Sequence, residues 1–402
     1  MPRRSNRNSP TRSNRPTTAL LCAMAFLIAV SQFRLLHIFQ ASTTIDTANA
    51  HPLESSRGRA TSVKSPPKKY MPLRNDNNST FSACLLVMDD NHYLMEWLAY
   101  HYHTLPLRYL VIAVDSRSRT SPKLVLDRWE EHMTIVRWSD RHFLPTEWQN
   151  RAVREDDPTG KLMKHRERQR NFYPACLEFL KRAKREWTTV IDIDEFATQN
   201  QHFIHLSKTY PTLLQAVQAQ YNQTNTTCIS MPRVRFGNYE DGNTTGKSFA
   251  PDGFRDSDFL TLRWRWRAGL HSRKENRHPK SIVNVKLISN FSRQDTDAHR
   301  PVRSECPRQN LYILNRASPL SVHHYIGTQA QWDFRKDARE GTKTRDQAKF
   351  EDYNKVRHDL DESVCGWLKD FTEQHGYSQA KSWLEGVGNV SYTPKKDTMK
   401  MN

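Results

Sequence analysis

The chain has 402 residues, 37% of them hydrophobic, and a formal net charge of +18. That length suits one large domain or two ordinary ones, and a charge of that size raises the question of a polyanionic partner. Nucleic acid is excluded on pattern, because the chain shows no zinc-finger spacing, no ribonucleoprotein aromatic motif and no long Lys/Arg block. The charge reads instead as a solvated basic surface plus an arginine-rich tail.

Arg3, Arg4, Arg7, Arg12 and Arg15 precede an uncharged apolar stretch, residues 17–33, that continues after Arg34 through Leu35, Leu36, Ile38 and Phe39. Seventeen residues is the short end of a membrane span, and basic residues before it favour a cytosolic N-terminus. The expectation is a cytosolic tail at 1–16 and an uncleaved signal-anchor transmembrane helix at 17–39. A cleaved signal peptide with Ala48-Asn49-Ala50 as its processing site is the rival, and it would make the protein secreted. Residues 40–81, rich in Ser, Thr, Asn, Pro and Lys, cannot bury enough surface to fold and read as a disordered stem. A single domain is expected over 82–402.

Seven acceptor sequons, at Asn77, Asn78, Asn222, Asn225, Asn243, Asn290 and Asn389, exceed the roughly three expected by chance and suit a luminal glycoprotein. Five cysteines follow the apolar stretch: Cys84, Cys176, Cys228, Cys306 and Cys365. An odd number allows at most two bridges and leaves one thiol. With no CxxC pair, structural zinc is not expected.

Residues 84–88 read as a buried strand ending at Asp89-Asp90-Asn91, and Leu94, Trp97, Leu98 and His101 then follow helical spacing. Residues 109–114 form a second strand ending at Asp115. A short helix at 124–129 and a third strand at 133–138 follow. This alternation predicts an α/β fold with a Rossmann-like mixed sheet flanked by helices. Ligands in such sheets bind beyond the carboxyl ends of the strands, where Asp89 and Asp115 fall. Phe172, Cys176, Phe179, Leu180, Ala183 and Trp187 make an amphipathic helix leading into a third such edge, at Asp192. No GxGxxG or Walker loop is present.

The run Trp187-Thr188-Thr189-Val190-Ile191-Asp192-Ile193-Asp194-Glu195-Phe196 carries the strongest chemistry. In a strand, residues i and i+2 face the same way, so Asp192 and Asp194 would present both carboxylates to one side. Hard oxygen ligands of that kind suit Mg²⁺ or Mn²⁺ held against a diphosphate; the competing use is capping a turn. In Val322-His323-His324-Tyr325, a neutral imidazole could complete the shell. Arg335 and Arg339, one helical turn apart, could grip phosphate bidentately or simply pair with Asp333 and Asp337. Trp264-Arg265-Trp266-Arg267 could stack a sugar or form a core face. Glu240, Asp241, Asp252 and Asp256 are unranked candidates for a catalytic carboxylate.

Cys84-Leu85-Leu86-Val87, Tyr93 through His101 (YLMEWLAYH), Val114-Asp115-Ser116, Trp187 through Phe196, Phe236-Gly237, Lys280-Ser281-Ile282-Val283 and His323-His324-Tyr325 together resemble glycosyltransferase family 92. That family and its relatives are type II Golgi membrane enzymes with a GT-A fold. The resemblance covers roughly residues 82–345, with gaps. It implies a hexosyltransferase moving a sugar, often galactose, from a nucleotide-diphosphate donor such as a UDP-sugar to a glycan acceptor, with inversion and a Mn²⁺ requirement. It implies that Asp192 and Asp194, as a DxD motif, hold metal and donor diphosphate, with His324 as the distal ligand and Asp115 near the nucleoside. Two positions depart from the pattern. Met88-Asp89-Asp90-Asn91 replaces a basic residue, Asn and Glu, and Ile326-Gly327 follows Tyr325 in place of arginine. The alternative is a luminal glycan- or polyanion-binding protein that keeps the fold without the chemistry.

Overall fold

Strand β1 (Phe81–Val87) is buried along its whole length and alternates between two cores. Phe81, Ala83, Leu85 and Val87 enter one apolar cluster, Cys84 and Leu86 the other. A strand apolar on both faces belongs at the centre of a sheet covered on both sides. In the computed structural model, which describes residues 80–149, 165–203, 212–239, 247–306, 310–334 and 347–390, that is its place. The described residues all fall in one unit, Lys68–Asn402. The expected tail, the anchor at 17–39 and nearly all of the stem lie outside them. Among the described residues no helix is long and apolar enough to cross a membrane.

The chain runs from β1 through α1 (Asn91–Thr104), β2 (Leu107–Val114) and α2 (Lys123–Trp129) to β3 (Thr134–Trp138), the order expected from the sequence. Helix α3 (His165–Arg182) leads into β4 (Trp187–Val190). With β6 (Cys228–Met231) and β9 (Lys280–Asn284), these strands form a six-stranded sheet ordered β3-β2-β1-β4-β9-β6. The first four are parallel neighbours, and β9 runs antiparallel to both β4 and β6. The result is a mixed α/β fold with a central mixed sheet flanked by helices.

Helix α1 covers one face, burying Leu94, Trp97, Leu98 and Tyr100. Helix α3 covers the other with Phe172, Tyr173, Cys176, Leu177 and Leu180. Each such side chain contributes about 1.5–3 kcal/mol on leaving water. Disulfides join Cys84 to Cys176 and Cys228 to Cys306, and Cys365 is a buried free thiol. The first bridge ties α3 directly to the central strand.

A second sheet, not anticipated from the sequence, has the order β5-β10-β7, built from β5 (Glu195–Gln199), β7 (Arg233–Arg235) and β10 (Leu320–His324). A two-stranded ribbon pairs β8 (Trp266–Arg267) with β11 (Asp359–Leu360). Trp264 precedes that ribbon and is buried in the core, so the two indoles do not form one strand face.

Candidate active site

Strands β1 and β2 deliver Asp89 and Asp115 to the carboxyl edge, as their positions in the sequence suggested. Asp89, with φ 59°, accepts the backbone N–H of Arg119 at 2.6 Å and of Thr120 at 3.0 Å, plus Arg119 Nε at 2.9 Å. Its carboxylate therefore organises the 118–120 loop. Asp115 accepts three donors of Arg117, faces His165 Nδ1 at 3.2 Å and lies 3.6 Å from Arg168. Burial pushes its pKa up, but these partners outweigh burial and hold it well below the usual carboxylate range. His165 and Arg168 come from the first turns of α3, the helix anchored by the Cys84–Cys176 bridge.

Asp192 and Asp194 do not extend β4. The strand ends at Val190, and the pair occupies the turn into β5. The turn closes because Glu195 Oε2 accepts the Asp192 N–H at 2.8 Å while Glu195 N–H donates to the Asp192 carbonyl at 3.1 Å. Two carboxylates pointing one way from a strand is thus corrected to two carboxylates set at a tight turn. The Lys280 ammonium, on the neighbouring β9, reaches Asp192 Oδ2 at 2.7 Å and Glu195 at 3.1 Å. Gln169 and Tyr173 of α3 approach the other Asp192 oxygen at 3.4 and 3.5 Å.

Asp194 is turned toward β10. Its backbone carbonyl accepts Tyr325 N–H at 2.9 Å, and its Oδ1 lies 3.9 Å from His324 Nε2. Register explains the encounter, since His324 pairs with Glu195 across β10 and β5. Burial, with Arg233 and Arg235 nearby, holds the His324 pKa well below its ordinary value, so the imidazole is neutral. Its Nδ1 is buried with no hydrogen-bond partner among the described residues. Glu195 joins the same group: ligand atoms of Asp194, Glu195 and His324 all lie within 4.8 Å of one another.

Among the other sequence candidates, Glu240, Asp241, Arg335 and Arg339 lie outside the described residues. Asp252 is exposed, and Asp256 accepts the backbone N–H groups of Phe249 and Ala250. No described hydrogen bond or ion pair links either to the Lys280–Asp192 group. Lys280 and Glu195, quoted in the sequence only as parts of longer motifs, emerge as central. Arg233, 3.7 Å from Glu195, was not singled out. The alternation of Arg233 and Arg235 on a short strand was the available signal.

No protein-family model matches the chain, and no curated protein matches it. Among solved structures, it is similar to a mannosyltransferase, PcManGT from Pyrobaculum calidifontis, determined in complex with GDP-Man and Mn²⁺. The identity is 11% and the TM-score 0.29, over 80% of this chain and 77% of that one. At that overlap the likeness shows neither family nor activity, and the site must be judged on its own atoms.

Those atoms suit a divalent cation. Two carboxylates and a neutral imidazole form the donor set that Mn²⁺ accepts readily. Glu195 is buried, and burial pushes its carboxyl up to about 7, so a cation beside it would favour the ionised form; Asp192 is partly exposed. Asp192 itself is committed to Lys280, so Asp194 and His324 are the residues best placed to hold the ion.

Proposed function

We propose that this chain is a metal-dependent glycosyltransferase of the GT-A type, related to family 92, using a nucleotide-diphosphate sugar, with UDP as carrier, and a glycan acceptor. The observation that carries the reading is the convergence of Asp194 after β4 with His324 at the end of β10, beside the carboxyl edge of the parallel strands. Asp194 and His324 would hold Mn²⁺ or Mg²⁺, which when bound supplies positive charge against a leaving diphosphate. Lys280 fixes Asp192 and Glu195 and thereby the turn that aims Asp194. Asp115, held ionised by Arg117, His165 and Arg168 at the carboxyl edge of β2, would face the nucleoside end of the donor. Inversion requires a base, here a carboxylate, to take the acceptor hydroxyl proton; Glu240, Asp241, Asp252 and Asp256 are the unranked sequence candidates for that role.

Location in the secretory pathway, as a Golgi type II membrane protein with this domain luminal, belongs to the same proposal. It is supported by two disulfides, which persist in oxidising compartments, and by the exposure of Asn222, Asn225, Asn290 and Asn389. The test is release of nucleoside diphosphate from a panel of nucleotide sugars by purified protein with Mn²⁺, repeated with Asp194→Ala. Turnover of one donor, lost in the variant, supports the reading. Binding of heparin-like polymers with no turnover of any donor favours the binding-protein alternative.

A further inference from the structure

The three-stranded sheet has two unlike faces. Pairing places Glu195, His324 and Arg235 in one row across β5, β10 and β7, with Ala197, Val322 and Arg233 in the next row. Residues in register share a face, and i and i+2 in one strand share it too. One face therefore carries Glu195, His324, Arg233 and Arg235. The opposite face carries Phe196, His323 and Val234 into the aromatic core, where Phe236 lies 4.6 Å from His323.

Arg235 stands beside His324 on the side away from Glu195. Its guanidinium rests over the Tyr353 ring at 4.3 Å and makes no ion pair or hydrogen bond with any described residue; its Nε is buried without a partner. Arg233 is 7% exposed, and its Nε is likewise buried without a partner. Its single ion pair among the described residues is the 3.7 Å approach to Glu195. A guanidinium offers five N–H donors, and buried donors are normally satisfied. Arg235 is partly exposed and shares a sheet face with Arg233, so an arriving anion could reach guanidinium donors on both.

We propose that Arg233 and Arg235 form an oxyanion-binding arm beside the Asp194–His324 pair, taking a tetrahedral phosphate-class group of a ligand that also reaches that pair. The forked, planar guanidinium matches such a group bidentately. Tyr353 keeps the Arg235 fork oriented through its ring face. The oxyanion has two possible sources, the diphosphate of the donor or a sulfate or phosphate ester on the acceptor. The proposal rests on the reading of Asp194 and His324 as a cation site, and its test separates the two.

Binding of three probes to the full-length chain in detergent with Mn²⁺, measured by calorimetry, decides it: inorganic pyrophosphate, uridine diphosphate and a sulfated oligosaccharide. Arg235→Met is expected to weaken at least one of them about ten-fold, and Arg235→Lys about three-fold, because lysine keeps charge but not the fork. Loss confined to the first two probes assigns the arm to the donor; loss confined to the third assigns it to the acceptor. Unchanged affinity for all three in a variant with wild-type melting overturns the arm. If Arg235→Met does not fold, Arg235→Lys carries the same decision, with unchanged affinity again overturning it. Asp194→Ala, titrated with Mn²⁺ alone, reports separately on the cation site.

Discussion

The Lys280 ammonium lies 2.7 Å from Asp192 Oδ2, with none of the lysine side chain exposed. It also lies 3.1 Å from Glu195, which is equally buried. Removing one partner of a buried pair strands the other's charge, at a cost of about 3–5 kcal/mol. Lys280→Met is therefore expected to lower unfolding free energy by that amount in a urea titration. Lys369→Met, which breaks a pair with Glu373 in which both side chains are 66% exposed, should cost under about 1 kcal/mol. Equal effects of the two substitutions would refute a structural role for Lys280.

Acid should loosen the packing of two C-terminal helices, Trp367–His375 and Tyr377–Trp383, against α1 and the end of α2. His375 packs on Phe371, Tyr102 and Trp383, and His132 on Trp383. Burial, with His103, Arg108 and His132 nearby, lowers the His375 pKa to about 4; His103 and His132 are also lowered by burial, against Asp370 and Glu131 respectively. The unfolded chain then binds more protons than the folded one below the ordinary histidine value of about 6.5. The contribution of these histidines to stability should be flat above that pH and fall between about 6.5 and 4. The melting temperature of His375→Gln should fall less over this range; an identical slope would contradict the assignment.

Gly237 cannot carry a side chain. A Cβ there would lie 2.2 Å from the Val356 carbonyl oxygen. Its N–H donates to the Trp266 carbonyl at 2.9 Å, directly after the Phe236 N–H bonds His324. Gly237→Ala should destabilise the fold by about 1–3 kcal/mol and weaken cation binding at His324. Wild-type melting and wild-type Mn²⁺ affinity together would count against it.

The Cys84–Cys176 bridge closes a long loop, with a sequence separation of 92, and seats the helix that supplies His165, Arg168, Gln169 and Tyr173. Chain entropy values such a closure at about 4–5 kcal/mol, and loss of a native bridge commonly costs 2–5. Cys84→Ser with Cys176→Ser should cost stability in that range and weaken nucleotide binding. Peptide mapping of the unreduced wild type should recover both bridges, with Cys365 the only one of the five cysteines beyond residue 80 to be alkylated after unfolding.

The first half of the domain was legible because its strands are apolar on both faces and its helices carry a clear 3.6-residue period. Residues 84–88, 109–114 and 133–138 correspond to β1, β2 and β3 within a few residues. The β5-β10-β7 sheet was not legible. Its strands span three to five residues each, pair across long separations and mix charged with apolar positions. The same limits apply to the site. Asp192, Asp194 and His324 carried recognisable local patterns, and the structure brings them into one region. Lys280 and Arg233 act through strand register, which no local pattern encodes. Asp256 was a plausible base by residue type, yet its carboxylate holds the 248–250 backbone.

The proposed glycosyltransferase chemistry stands or falls with a divalent cation shared by Asp194 and His324. Mn²⁺ titration followed by electron paramagnetic resonance, on wild type, Asp194→Ala, His324→Ala and Arg263→Met as a surface control, tests it most directly. Wild type and the control should each bind one ion, with affinity lowered at least about ten-fold in each site variant and tightened by nucleoside diphosphate in wild type. Wild-type Mn²⁺ affinity in folded Asp194→Ala and His324→Ala would contradict it.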